Sequence, residues 1–151
     1  VWDYWIQKNF DVVQEKKLYR AGQPSKKQLE QWIRKYNLRT IIVLKPEIRP
    51  YEKEIAERYD VKLHHIPLTV NHIPTEKQWQ KILPLLMDEQ NYPLLYHCHG
   101  GADNTGVITA MYRLEIQRQS LRMALLEMYL HYHIPFFHPA LQKYLRSRYS
   151  Q

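Results

Sequence analysis

The segment Arg39-Thr40-Ile41-Ile42-Val43-Leu44 constrains this chain more than any other. It is a near-continuous run of β-branched and aliphatic residues with no polar alternation. That pattern predicts a strand buried on both faces, which a parallel sheet covered by helices on both sides provides. The segments around it agree. Leu18-Tyr19-Arg20-Ala21 reads as a short strand. Ser25 with Gln28 makes a capping box for a helix to about Tyr36. A helix is expected over Tyr51 to Tyr59, a strand over Val61 to Ile66, and a second capping box at Thr75 and Gln78. That box opens a helix to about Met87, with Pro84 inside it. Leu94-Leu95-Tyr96-His97 is a strand, followed by helices from Thr105, from Ser120 and from Pro139. Strands alternating with helices predict an α/β fold with a mostly parallel central sheet flanked by helices.

At 151 residues the chain fits one domain, 1–151, with residues 1–17 expected as an N-terminal arm in which Trp2, Trp5 and Phe10 pack onto it. No apolar run approaches the roughly 20 residues that span a bilayer, so no transmembrane segment is expected. The first residue is Val1, which leaves a cytoplasmic protein and an exported one with its leader removed both open. Cys98 is the one cysteine, which excludes an internal disulfide. The eight histidines include His97 and His99 around Cys98, and His131 and His133, but no HxxxH or HExxH spacing. No metal and no cofactor are therefore expected.

Lys plus Arg number 22 against 15 Asp plus Glu, a formal charge of +7. Such a balance favours anionic partners. Fourteen of the basic residues are spread between Lys8 and Lys62, and none lies from Asp88 to Tyr112. A solvated basic surface explains that spread better than a nucleic-acid footprint, so no nucleic-acid partner is expected.

In an open parallel sheet, ligands bind beyond the carboxyl ends of the strands. Two loops then matter, after Leu44 and after His97. The second reads Cys98-His99-Gly100-Gly101-Ala102-Asp103-Asn104-Thr105. Adjacent glycines allow the backbone to curl so that successive N–H groups point inward at a helix N-terminus, an anion nest that suits phosphate. The same field favours a thiolate, and a thiolate beside a phosphate cradle points to nucleophilic phosphoryl transfer.

These residues resemble the signature of the cysteine-dependent protein tyrosine and dual-specificity phosphatases: His-Cys, five residues, then Arg and Ser or Thr. The chain is most similar to their small atypical bacterial and fungal members. Tyr19 to Ser25 resembles their opening strand and turn, Thr40 to Glu47 their "TVINLRPE" segment, and His65 to Leu68 the strand entering the general-acid loop. The resemblance implies a phosphatase-like domain without cofactors that hydrolyses phosphate monoesters through a cysteinyl-phosphate. A phosphorylated protein or a small polyphosphorylated ligand, such as an inositol phosphate, would be its partner, and the chain would be a monomer.

By the same resemblance Cys98 is the nucleophile, and the backbone of His99, Gly100, Gly101, Ala102, Asp103 and Asn104 binds phosphate. Thr105 assists departure of the thiol, and His97 orients the loop. Two positions depart from the pattern. Asn104 stands where the family has its phosphate-gripping arginine. The acid loop, Leu68 to Pro74, has no carboxylate; Asn71 sits at the acid position, with His72 beside it as a substitute acid. Lys45 and Arg49, after a parallel strand, are candidates for the missing positive charge. The alternative expectation is a pseudophosphatase that binds phosphorylated ligands without turning them over.

Overall fold

The computed structural model describes residues 7–150; Trp2 and Trp5 fall outside them. Thr40–Val43 forms strand β3 and is buried throughout. Ile41 and Val43 pack into one core, while Ile42 and Leu44 pack into the other. Two-sided burial is what the unbroken apolar run predicts. Truncating Ile42 to Ala would cost about 2–5 kcal/mol.

Five strands make one sheet: β1 (Asp11–Gln14), β2 (Leu18–Ala21), β3, β4 (Lys62–His65) and β5 (Leu94–His97), in the order β1-β2-β5-β3-β4. β2, β5, β3 and β4 are parallel in sequence of contact, and β1 is antiparallel to β2. The mostly parallel sheet agrees with the sequence. The arm does not hold as such. Residues 11–14 of the expected 1–17 arm are an edge strand, because the turn before Leu18 folds Val12 back onto Tyr19. Phe10 stacks among Tyr19, Trp32 and Tyr36, as expected for a packed N-terminus.

Helices α1 (Lys26–Tyr36) and α2 (Pro50–Arg58) contribute Leu29, Ile33 and Ile55 to one core. Helices α3 (Glu76–Met87), α4 (Asn104–Glu115), α5 (Leu121–Leu130) and α6 (Pro139–Tyr149) build the other, with Trp79, Ile82, Val107, Met111, Met128 and Leu141. Both capping boxes form: the Ser25 and Thr75 hydroxyls accept from the N–H groups of Gln28 and Gln78, whose side chains reach back. Each such cap is worth about 1 kcal/mol. α4 is the central helix, buried from Asn104 to Tyr112. Its N-terminus therefore meets the sheet edge where β5 ends.

Candidate active site

The loop between β5 and α4 is held from behind by its carbonyl groups. The His99 oxygen accepts from the Gln23 N–H at 2.8 Å, the Gly100 oxygen from Asn9 Nδ2 at 3.3 Å, and the Gly101 oxygen from Arg20 Nη2 at 2.8 Å. With three successive carbonyls turned outward, the Gly101 N–H is free to turn inward and reaches Cys98 Sγ at 3.2 Å. Gly101 has φ +73°, and a Cβ there would lie 2.6 Å from the Gly22 nitrogen. Gly22 is equally confined, its Cβ position 2.9 Å from the Gly100 carbonyl carbon. Only two facing glycines allow the end of β2 and the loop to touch backbone to backbone.

Two groups support this loop that the sequence reading missed. Glu52, fully buried on α2, meets His97 Nε2 at 2.5 Å and accepts from the Arg49 N–H at 3.0 Å. The other His97 nitrogen lies 3.2 Å from the Cys98 carbonyl oxygen, so His97 does bridge the loop to the rest of the fold. Burial pushes the Glu52 carboxyl up, but the bond and charge of His97 and the Arg49 N–H outweigh it and hold it below 4.5. The second group is Arg20, 1% exposed on β2, whose Nε and Nη1 have no hydrogen-bond partner among the described residues. A guanidinium stays charged even there. It lies under the loop, beside Gly106 of α4. The only sequence signal was an arginine inside an otherwise apolar strand.

Position 104 carries different chemistry from a gripping arginine. Asn104 is the first residue of α4 and is buried. Its Nδ2 donates to the Leu44 oxygen at 2.9 Å and the Leu68 oxygen at 3.4 Å, and its Oδ1 accepts from His72 Nδ1. The amide thus ties the β3 end, the acid loop and α4 together. Thr105 is buried with its hydroxyl 3.4 Å from the Ala21 oxygen, behind the loop rather than in the cavity. Of the two candidate cations, Lys45 lines the cavity with Cys98 and donates to Gln23 Oε1 at 2.7 Å. Burial, and then Arg49, push its ammonium below the usual value. Arg49 instead lines a neighbouring groove with Lys8, Gln23 and Tyr51 on the far side of His99 and Gly100.

The acid loop also differs from expectation at one residue. Asn71 is exposed, with φ 52°, and does not line the Cys98 cavity; the adjacent His72, with φ 64°, does. Two consecutive left-handed residues turn the loop so that the second side chain enters. His72 then meets a group of side chains gathered around Asp103. Asp103, the N-cap of α4, contacts His133 Nδ1 at 2.8 Å and His138 Nε2 at 3.2 Å. The His72 and His138 rings pack edge to face, with centroids 4.9 Å apart. Donor atoms of His72, Asp103 and His138 lie within 4.8 Å of one another. They belong to three loops far apart in the chain, which no local motif can reveal. Burial pushes the Asp103 carboxyl up, yet the bond to His133 and the charges of the surrounding histidines set it below 3.8. Burial lowers His138 below 6.5, against the opposing pull of Asp103.

The resulting cavity, about 650 Å³, has Cys98, His99, Gly100 and Lys45 at its polar end and Tyr132, Ile134 and Phe137 as an apolar wall. A mostly parallel sheet with a cysteine directly after β5, then a tight loop and a buried helix N-terminus, is the arrangement of a cysteine phosphatase-like domain. A family model described as the tyrosine phosphatase family matches residues 6–145, and the chain belongs to that family, within the cysteine-dependent tyrosine and dual-specificity phosphatases.

It is 31% identical over 110 residues to the inositol diphosphatase DSP3 of Arabidopsis thaliana, across 70% of this chain and 53% of that protein. To the tyrosine-protein phosphatase-like protein OCA2 of Saccharomyces cerevisiae it is 28% identical over 103 residues, across 66% and 52%. The chain spans about half the length of these two relatives. The core catalytic domain of the PP-IP phosphatase SIW14 from S. cerevisiae, solved with citrate, superposes with TM-score 0.74 at 27% identity, over 82% of this chain and 75% of that one. TpbA of P. aeruginosa shares the fold, with TM-score 0.79 at 22% identity over 93% and 85%. Among the described residues, no helix is long and apolar enough to cross a membrane.

Proposed function

We propose that this chain binds phosphate monoesters in the Cys98 loop and hydrolyses them slowly through a cysteinyl-phosphate. Cys98 Sγ attacks phosphorus, the ester P–O bond breaks, and the leaving oxygen takes a proton. Water then attacks phosphorus, breaks the S–P bond and regenerates the thiol. The observation that carries this reading is the inward-turned loop, with the Gly101 N–H on Cys98 Sγ at the floor of the cavity. Lys45 is the side-chain cation of that cavity in place of an arginine, and Arg20 adds charge beneath the loop. The acid loop supplies no carboxylate, so esters with good leaving groups are the favoured substrates. The apolar wall of Tyr132, Ile134 and Phe137 suits an aryl ester such as phosphotyrosine.

A second substrate reading has its own observation. The groove lined by Lys8 and Arg49 adjoins the same loop residues, His99 and Gly100, and suits a further phosphate of a small polyphosphorylated ligand. Likewise, the three hydrogen bonds of Asn104 favour a pseudophosphatase that holds a phosphorylated ligand without turnover. The deciding experiment is hydrolysis of p-nitrophenyl phosphate and phosphotyrosine by this chain and its Cys98→Ser variant, with phosphate binding measured on both. Slow turnover abolished by Cys98→Ser supports the enzyme. Binding without turnover selects the pseudophosphatase. Turnover that survives Cys98→Ser, or no phosphate binding, overturns the Cys98 assignment.

A further inference from the structure

The side chains of His72, Asp103 and His138 converge at the rim of the Cys98 cavity, with a donor atom of each within 4.8 Å of the others. We propose that these three residues form a site for one divalent transition-metal ion of the zinc class, with its open coordination positions facing the cavity.

Hydrogen bonding sets the ring tautomers. Asn104 Nδ2 donates to two backbone carbonyls, so its Oδ1 is the acceptor toward His72 and His72 Nδ1 carries the proton. The Nε2 lone pair of His72 is then the one left for a ligand. On the other side, Gln142 Nε2 donates to His133 Nε2 at 2.9 Å, so the His133 proton sits on Nδ1 and is given to Asp103 Oδ1 at 2.8 Å. Asp103 Oδ2 is thereby left toward His138 Nε2 at 3.2 Å. Two ligands of one tetrahedral zinc, each bonded at about 2.0 Å, stand about 3.3 Å apart. The Asp103–His138 pair already has that separation, and a donor atom of His72 lies within 4.8 Å of both. A metal-ligating histidine whose other ring nitrogen donates to a fixed oxygen, and a ligating carboxylate braced by a further group, are the usual outer supports of such a site.

An ionised carboxylate at the rim of an anion cavity repels the ligand unless a cation covers it. Asn104 also acquires a reason to replace a guanidinium. Arg at 104 has no acceptor to offer His72 Nδ1 and would place a like charge beside the ion. Three protein ligands leave at least one position for water or a phosphate oxygen, a Lewis-acid arrangement. That last consequence rests on the phosphate reading above; the metal site itself does not.

The test is calorimetric titration of the chelator-treated chain with Zn2+, and with Co2+ followed by its visible absorption. One ion per chain is expected. His72→Ala, in an exposed loop, and His138→Ala should each weaken binding by about 10–100-fold or more. His131→Ala, which removes a histidine bound to Asp11 elsewhere, and Cys98→Ser should leave it unchanged. No binding, binding insensitive to both His72→Ala and His138→Ala, or binding lost in Cys98→Ser would overturn the site. Inorganic phosphate titrated into the Cys98→Ser chain, with and without Zn2+, separates the two proposals. Tighter phosphate binding with Zn2+ is expected; equal binding refutes the coupling alone, and no phosphate binding in either refutes the phosphate reading while the metal result stands.

Discussion

The two sides of the Cys98 cavity are built on different principles. The floor is backbone. Outward carbonyls of His99, Gly100 and Gly101, two confined glycines and the end of a buried strand set the Gly101 amide against a thiol. The rim is side chains: His72 of the acid loop, Asp103 and Asn104 at the start of α4, and His138 before α6, bonded across those elements. The floor follows the loop that the resemblance to the family implies. The rim departs from it where charge is handled. A backbone cradle depends on turn geometry and packing, so it persists when single side chains change. A rim made of side chains is free to exchange one charge carrier for another.

The largest effect expected separates the floor from everything else. Gly101→Val should abolish phosphate binding, because its Cβ would enter the Gly22 backbone and its φ of +73° is strained for any branched residue. Calorimetry with inorganic phosphate checks it; retained binding would mean that the loop does not need the contact with β2. Next is the pair that ties the floor to α2. Glu52→Ala leaves His97 Nε2 without its carboxylate in the core and should cost about 3–5 kcal/mol in denaturant unfolding.

The same pair has a pH signature. The folded carboxyl lies below its unfolded value of 4.5, so its stabilisation is present above pH 4.5 and is lost as pH falls through the folded value. The melting temperature of the parent chain should therefore drop more steeply below pH 4.5 than that of Glu52→Gln. Parallel profiles would show that the pair does not titrate with folding.

On the rim, Asn104→Arg should raise turnover of p-nitrophenyl phosphate by about two to three orders of magnitude, or about 3–4 kcal/mol, and tighten vanadate inhibition. An unchanged rate would mean that position 104 serves only its three hydrogen bonds and that Lys45 is the effective cation. The smallest effect is expected at Asn71. It is exposed and lines another groove, so Asn71→Ala should leave turnover within about twofold. A large loss would return the acid position to Asn71 in place of His72.

Much of this was legible in the linear chain, for local reasons. The run Thr40–Val43 and the Ser25 and Thr75 boxes depend on neighbours within a few positions, and they formed where periodicity and capping put them. The adjacent glycines marked the Cys98 turn too, although its final shape also needs Asn9, Arg20, Gly22 and Gln23 from elsewhere in the chain. The arm before Leu18 was misread because a four-residue edge strand carries too little pattern to distinguish it from a tail.

What the sequence by itself determined, then, is the sheet, its helices and the place of the cradle, because each follows from short-range sterics and burial. What only the tertiary structure decided is where charge sits around that cradle. Arg20 under the loop, Glu52 against His97, Lys45 beside Cys98, and His72 with Asp103 and His138 are partners separated by up to 81 residues. Coulomb interactions and hydrogen bonds act through space, so their pairing is set only once the strand order β1-β2-β5-β3-β4 brings those loops to one edge.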